Sequence, residues 1–417
     1  MPDAFLGLTK LTGLAKVPDI RNLLIMGVSA GIIRWTEILA IGIYTYEQTG
    51  SPFMVAIMAF LNAVPGTLFG VLVGAMGERY NKRNLLLLGY GILLLLVSVL
   101  AYLAINDNLM LWHVALGTFL SGVVGTTEFP LRRTLLGEIS GLERAPTSLT
   151  CDVAIGTITM FVGPLLGGFL MHDYGLHAFY FVAMGLIGSA LFFVWKVHIT
   201  PERAPTKIVP FLISMRDGFI HARHNKPVLG VLLITIILNF FGFSFMSMLP
   251  VIGADKMGLG PIPVGILSSM LAVGSLIGLL FIAGYASPAY FMRWFVGGAL
   301  ALLVAITIFS VTPWYVMGLV VLLIGGLGGA GFGSMQATIT FMATAPEIRS
   351  RIMGLLVVCI GFGPLGVLHT GAMAQWLGAD IAIGVIALEG LAVTLLSMWL
   401  LPVLRRSGIE AHEHIHS

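Results

Sequence analysis

Residues 325–334 read GGLGGAGFGS. Inside them lies Gly326-Leu-Gly328-Gly-Ala-Gly331, the G-x-G-x-x-G spacing of a turn that cradles a dinucleotide, and Glu347 falls about where the ribose-binding acid of such a fold sits. The motif has that meaning only between a strand and a helix. Here WYVMGLVVLLIGG leads into it and a further apolar stretch follows, so the run reads as one membrane-crossing helix. Glu347 comes after Pro346, beyond the end of the run, and its spacing is coincidental. Gly325, Gly329 and Gly333 then fall at i, i+4 and i+8. Two G-x-x-x-G steps on one face predict close approach of a neighbouring helix, and Gly329→Leu is expected to block it.

Composition agrees with the membrane reading. The chain has 417 residues, 58% hydrophobic and 10% charged, with a mean hydropathy of +0.99. Soluble domains carry about a quarter charged residues, so this chain could not cover its surface in water. Cys151 and Cys359 lie in or beside apolar runs and read as small packing residues. Met1–Pro18 lacks the apolar core and small-residue cleavage site of a signal peptide, so the first hydrophobic run is expected to remain in the membrane.

Twelve runs are long and apolar enough to span, at roughly 22–46, 53–77, 84–105, 110–134, 150–171, 177–196, 227–251, 263–286, 294–311, 314–342, 353–376 and 380–402. Strand-like alternation is absent, which excludes a membrane β-barrel. With both termini cytoplasmic, every Lys and Arg except Lys256 and Arg34 falls on or beside the cytoplasmic side, as the positive-inside rule requires. The connection near 197–226 is rich in Pro and basic residues. Its stripe of Phe211, Leu212, Met215 and Phe219 predicts an amphipathic helix on the interface. This divides the chain into 1–198, a linker 199–226, and 227–417. Gly163-Pro164-Leu165 recurs as Gly363-Pro364-Leu365, with a charged loop before each, which points to a duplicated six-helix unit. The expected fold is all-α, with twelve transmembrane helices in two pseudo-symmetric six-helix bundles.

The link between spans 2 and 3 reads Gly74-Ala-Met-Gly77-Glu78-Arg79-Tyr-Asn81-Lys82-Arg83. It resembles the G-x-x-x-D-R-x-G-R-R signature loop of the major facilitator superfamily, with Glu78 for Asp and Asn81 for Gly. The resemblance implies a gating role for Gly74, Glu78, Arg79, Lys82 and Arg83. Tyr46–Ser51, Pro65, GPLLGG at 163–168 and RSRIMGLLVVCIGFGPLG at 349–366 are similar to the enterobactin-exporter and drug-efflux branch of that superfamily. The GPLLGG stretch, with Gly163, Pro164, Gly167 and Gly168, is similar to the tail of the antiporter motif, although Thr159 stands at its upstream glycine. The likeness implies export driven by proton entry.

An ionisable group at bilayer depth costs about 2.5–3.5 kcal/mol on insertion scales, so each needs a partner, a cavity or a function. Arg34 and Glu37, at i and i+3 in span 1, are expected to share a face and offset each other, with Glu37 a proton carrier and Arg34 tuning it or meeting an anion. Glu128 and Arg132, near the end of span 4, read as a structural or gating pair with the Arg reaching to water. Asp152 reads as a helix cap. Glu389 has no charged neighbour along span 12, and His369 could titrate near neutrality, which makes both further proton candidates. Asn62, Asn239 and Gln336 are polar candidates for a substrate cavity, with Phe243 beside Asn239 as an aromatic contact. His412, His414 and His416 alternate in the tail without the fixed geometry of a metal site.

These features predict a secondary transporter: proton-coupled alternating-access export of a small amphipathic compound of drug or siderophore type. The rival is an importer or facilitator of a small organic ion, with Arg34 as the anion contact. A non-transport membrane receptor or enzyme is a more distant alternative, and the enzyme reading lacks clustered metal ligands or an adjacent nucleophile and base. No G-x-x-x-x-G-K-[ST] loop is found, so a gradient must supply the energy. The expected partners are substrate, protons and lipid, with no cofactor, metal or nucleic acid, for a monomer in a bacterial inner membrane.

Overall fold

The computed structural model describes residues 14, 16–198, 211–285, 287–345 and 348–405, with side chains at all of these except 71–79, 142–143, 211–215, 217 and 350. Every regular element among them is helical. Twelve helices are long and apolar enough to cross a membrane. Spans 1–6 are Pro18–Thr49, Pro52–Gly70, Lys82–Ile105, Leu111–Gly141, Arg144–Asp173 and Leu176–Trp195. Spans 7–12 are Lys226–Asp255, Pro261–Tyr285, Pro288–Val311, Tyr315–Met342, Arg351–Leu377 and Ala379–Leu400. The all-α, twelve-span fold expected from the sequence is therefore observed. Glu347 and the tail histidines lie outside the described residues, and so does most of the linker before Phe211.

Two departures from the expected boundaries have local causes. Span 5 starts at Arg144, earlier than the charged LERAPTS stretch suggests. Pro146 falls in its first turn, where a missing N–H costs nothing. Span 4 stops at Gly141, whose φ of 66° is a conformation that side-chain-bearing residues rarely adopt. Asn81, which replaces the signature-loop glycine, caps span 3 by accepting a hydrogen bond from the Asn84 amide at 3.3 Å.

The chain forms two compact units. The first comprises Met1–Gln48 and Leu61–Lys207, and the second Thr49–Phe60 and Ile208–Ser417. The opening turns of span 2 thus group with the second unit: Ser51 Oγ donates to Gln375 Oε1 at 2.7 Å, and Gly371 makes room for Ala56. The linker forms the helix Phe211–His224, and its Gly218 lies against the Arg351 carbonyl at the start of span 11. Of the predicted apolar stripe, only the Phe219 side chain is described, and it is exposed.

Matching contacts recur in the two units. In the first, a Cβ on Gly163 would collide with Trp35, and Thr36 Oγ1 donates to the Gly163 carbonyl at 3.1 Å. Gly167 faces the Thr36 carbonyl, and Pro164 and Gly168 are buried beside it. In the second, Gly363 faces the Asn239 carbonyl, and a Cβ on Gly366 would collide with that of Phe240. Each GPL step seats span 5 or span 11 against the first span of its own half.

Span 10 packs between spans 8 and 9 through glycine, but not through the stripe expected from sequence. Gly329 has only Ser275 Oγ near its would-be Cβ, at 3.9 Å, and Gly333 has nothing within 4 Å. Of the stripe only Gly325 packs closely, its would-be Cβ falling 3.1 Å from the Ala305 Cβ of span 9, tighter than ordinary contact. The close approaches are made by the three motif glycines. A Cβ on Gly326 would strike the Leu271 carbonyl of span 8, and span 8 answers with Gly274, which abuts Leu323. Gly328 and Gly331 would meet the Gly298 and Trp294 carbonyls of span 9 at 2.6 and 2.7 Å. Two flanking helices use two faces of span 10, so the glycine spacing is that of two seams and not one. Gly326→Ala should lower the thermal midpoint by the ~1–3 kcal/mol typical of overpacking. Gly333→Ala should stay within ~0.5 kcal/mol of wild type. Heating followed by size-exclusion chromatography with fluorescence detection checks both.

Candidate functional site: a buried carboxylate in span 1

Glu37 is 7% exposed. Span 1 turns it inward toward span 4, where Ser121 Oγ donates to its Oε2 at 2.6 Å. The adjoining cavity has room for about one water molecule and is bounded by residues of spans 1, 3, 4 and 6, chiefly aliphatic ones such as Ile33, Leu93 and Val97. Gly163 and Gly167 hold span 5 on the turn before Glu37, so span 1 is fixed where the carboxylate projects. Arg34 corrects the sequence reading. It is exposed and forms no ion pair among the described residues, while Glu37 is buried. The two lie three residues apart and interact electrostatically, but Glu37 hydrogen-bonds Ser121 and makes no salt bridge with the exposed Arg34.

A second charged cluster lies nearer the end of span 4. Glu128, Arg132 and Asp152 are 7%, 6% and 2% exposed. Arg132 Nε lies 2.5 Å from Glu128 Oε1, and its Nη1 is also paired with Asp152. Arg133 Nε binds the other Asp152 oxygen at 2.8 Å and its guanidinium stacks on Phe129 at 4.1 Å. The predicted Glu128–Arg132 pair forms, but two expectations fail. Arg132 does not reach out to water, and Asp152 is no helix cap: it sits more than two turns inside span 5. Span 1 accommodates the arginine because Gly27 has no side chain, its would-be Cβ falling 2.6 Å from Arg132 Nη1. Three buried charges and the partly exposed Arg133 thus neutralise one another.

Within the signature loop, Lys82 pairs with Glu138 at 2.7 Å. Arg83 donates to the Val194 and Trp195 carbonyls and closes the end of span 6. The side chains of Gly74, Glu78 and Arg79 lie outside the described residues. Asn62 is half-buried on span 2, its carbonyl against Gly122 of span 4.

In the second unit the polar candidates gather around span 7. This span is α-helical to Ile237, π-helical over Leu238–Gly242 and 3₁₀ over Phe243–Met248. A π-turn shifts side-chain register and is frequent at functional sites. Asn239 Nδ2 donates to the Thr235 carbonyl at 2.9 Å, and Gln336 Nε2 to Thr235 Oγ1 at 2.8 Å. Phe243 packs on Phe332, which stacks on Phe295. His369 and Glu389 approach to 3.3 Å between spans 11 and 12, their side chains 36% and 41% exposed. The Phe240 ring lies 5.5 Å from that of His369. Glu389, midway along span 12, therefore has a partner on span 11, which spacing along one helix could not reveal. No group of His, Cys, Asp and Glu among the described residues could hold a metal.

Sequence reasoning missed Ser121, Thr118 and Tyr180, all on the Glu37 cavity, and the inter-span partners of Arg132. Hydroxyls in a helix commonly bond their own backbone and leave hydropathy nearly unchanged. The only available signal was Thr118 and Ser121 at i, i+3 on span 4.

Twelve apolar helices, with buried ionisable groups held by internal partners, define a multi-pass membrane protein. The family model described as Major Facilitator Superfamily matches residues 23–345, and the chain belongs to that family. It is similar to macrolide efflux protein A of Streptococcus pyogenes, 20% identical over 349 residues that cover 82% of this chain and 86% of that one. It is also similar to the staphyloferrin A transporter of Staphylococcus aureus, 25% identical over 54% of this chain and 56% of that one. Among solved structures, the nucleoside transporter NupG superposes with a TM-score of 0.70 at 13% identity, covering 91% of this chain and 98% of that one, which shows a shared fold.

Asp152→Asn should destabilise the protein by about 3 kcal/mol or more, because it leaves the buried Arg132 charge under-compensated. Glu138→Gln, at a half-exposed pair, should cost less than ~1 kcal/mol. Thermal midpoints of the two purified variants in one detergent check the contrast.

Proposed function

We propose that this major facilitator works by proton-coupled alternating access, exporting a small amphipathic compound of drug or siderophore type, with Glu37 as the proton carrier. The observation that supports this is the setting of Glu37: a membrane-embedded carboxylate with one hydroxyl donor, beside a small and chiefly apolar cavity, in no salt bridge among the described residues. Charging such a group is costly, and neutralising it by a proton removes that cost. Proton binding and release at Glu37 would therefore favour different conformations of the first unit. The Glu128–Arg132–Arg133–Asp152 cluster is already neutral overall and suits a structural or gating role. His369 and Glu389 lie 3.3 Å apart and are partly exposed, so they are the weaker proton candidates. The matching GPL steps support two six-helix bundles that move as bodies, with the linker at 199–226 between them.

The names of the relatives bear on the cargo. Efflux of macrolides and transport of staphyloferrin A belong to those proteins, and they make an exported amphipathic compound the reading to test here. The distribution of Lys and Arg supports cytoplasmic termini in a bacterial inner membrane.

In proteoliposomes, an imposed pH gradient should drive flux of at least one compound from a panel of macrolides, tetracyclines and siderophores. Glu37→Gln should abolish the gradient dependence while leaving the protein folded. Glu389→Gln should retain it. Gradient-independent flux in the wild type, or undiminished coupling in Glu37→Gln, would overturn the reading.

A further inference from the structure

Two polar groups beside Glu37 are unexplained by packing. Thr118 and Tyr180 are each 2% exposed, and neither Thr118 Oγ1 nor Tyr180 OH has a hydrogen-bond partner among the described residues. Both line the cavity that Glu37 and Ser121 also line. A buried hydroxyl left unpaired costs about 1–3 kcal/mol, and Val and Phe would fill the same volumes without that cost. Two such hydroxyls and a carboxylate converging on a space the size of a water give that water the two to four polar partners it requires. The remaining wall is apolar: Leu93 and Val97 from span 3, Val114 from span 4 and Phe179 from span 6.

We infer that this cavity inside the first unit is a water-binding site that carries protons to and from Glu37, with Thr118 and Tyr180 as positioning residues. The inference rests on the proposed proton role of Glu37 and adds the route. A protonated water held there gives its proton to a Glu37 carboxylate oxygen, leaving a neutral water and a neutral carboxyl. The return step gives the proton back to that water. The Thr118 and Tyr180 hydroxyls hold the water throughout and end each step unchanged. Few other titratable or charged groups approach. Span 1 contributes Tyr44, which acts electrostatically on Tyr180, and the exposed Arg34, which acts electrostatically on Glu37. Span 4 contributes Glu128 and Arg132, held in their own cluster. Span 3 presents only apolar side chains to the cavity.

The test uses the full chain in lipid and follows the infrared band of protonated Glu37, assigned by its loss in Glu37→Gln, after a rapid pH drop. Thr118→Val and Tyr180→Phe should each slow the appearance of the band about tenfold, the rate equivalent of roughly one hydrogen bond. Thr118→Ser, which keeps the hydroxyl, should restore the wild-type rate. That rescue separates loss of the hydroxyl from loss of folding, as does an unchanged thermal midpoint. Wild-type rates in both Thr118→Val and Tyr180→Phe would overturn the water site while leaving Glu37 as carrier. A wild type with no band sensitive to Glu37→Gln would instead overturn the carrier reading itself. A band displaced by sodium chloride at fixed pH, and insensitive to it in Thr118→Val, would overturn the inference in favour of a bound cation.

Discussion

The structure depends on one constraint: a polar or charged group at bilayer depth must be satisfied from within the protein. The first unit meets it in two opposite ways. At Arg132 the solution is complete, with two carboxylates on one guanidinium and Gly27 cut back to admit it. At Glu37 it is partial: one hydroxyl, one small cavity and no salt bridge among the described residues. A complete network rigidifies. A partial one leaves a group whose charge state the surroundings do not fix, and that is where a transported proton can act.

Glycine supplies the mechanical counterpart. Helices in a membrane gain little from hydrophobic attraction to one another and associate by close packing. Gly163 and Gly167 bring span 5 onto span 1 just before Glu37. Gly366 does the same for span 11 on span 7, where the helix loosens into π-turns around Asn239. Span 10 is clasped on two faces by spans 8 and 9 through Gly326, Gly328 and Gly331. The spacing that resembles a nucleotide-binding turn is thus a product of packing on both sides at once.

Much of the architecture was legible because hydropathy and charge act along the chain. Twelve apolar runs, the basic loops and the repeated GPL step need no tertiary knowledge to be read. The site was legible in part. Glu37 stands out by its cost in a span, but its partner does not, because a serine on another helix leaves no mark in hydropathy. Arg34 and Glu37 interact electrostatically without a salt bridge, because i, i+3 spacing permits a contact without requiring one and Glu37 is buried against Ser121 instead. Asp152 was misassigned for a similar reason: its role is set by Arg132 and Arg133, both on another span. His369 and Glu389 were each singled out, yet only packing of spans 11 and 12 shows that they meet.

The central claim is that Glu37, alone among the buried acids of the first unit, exchanges a proton during function. A hydrophobic carbodiimide reacts with carboxyls that are protonated in apolar surroundings. Labelling the lipid-reconstituted protein across a range of pH, with peptide mass mapping, therefore tests the claim at the residue itself. The account predicts modification at Glu37 that rises as pH falls, with Glu128 and Asp152 unmodified in their ion pairs. Labelling at Glu128 or Asp152 with Glu37 untouched would contradict it.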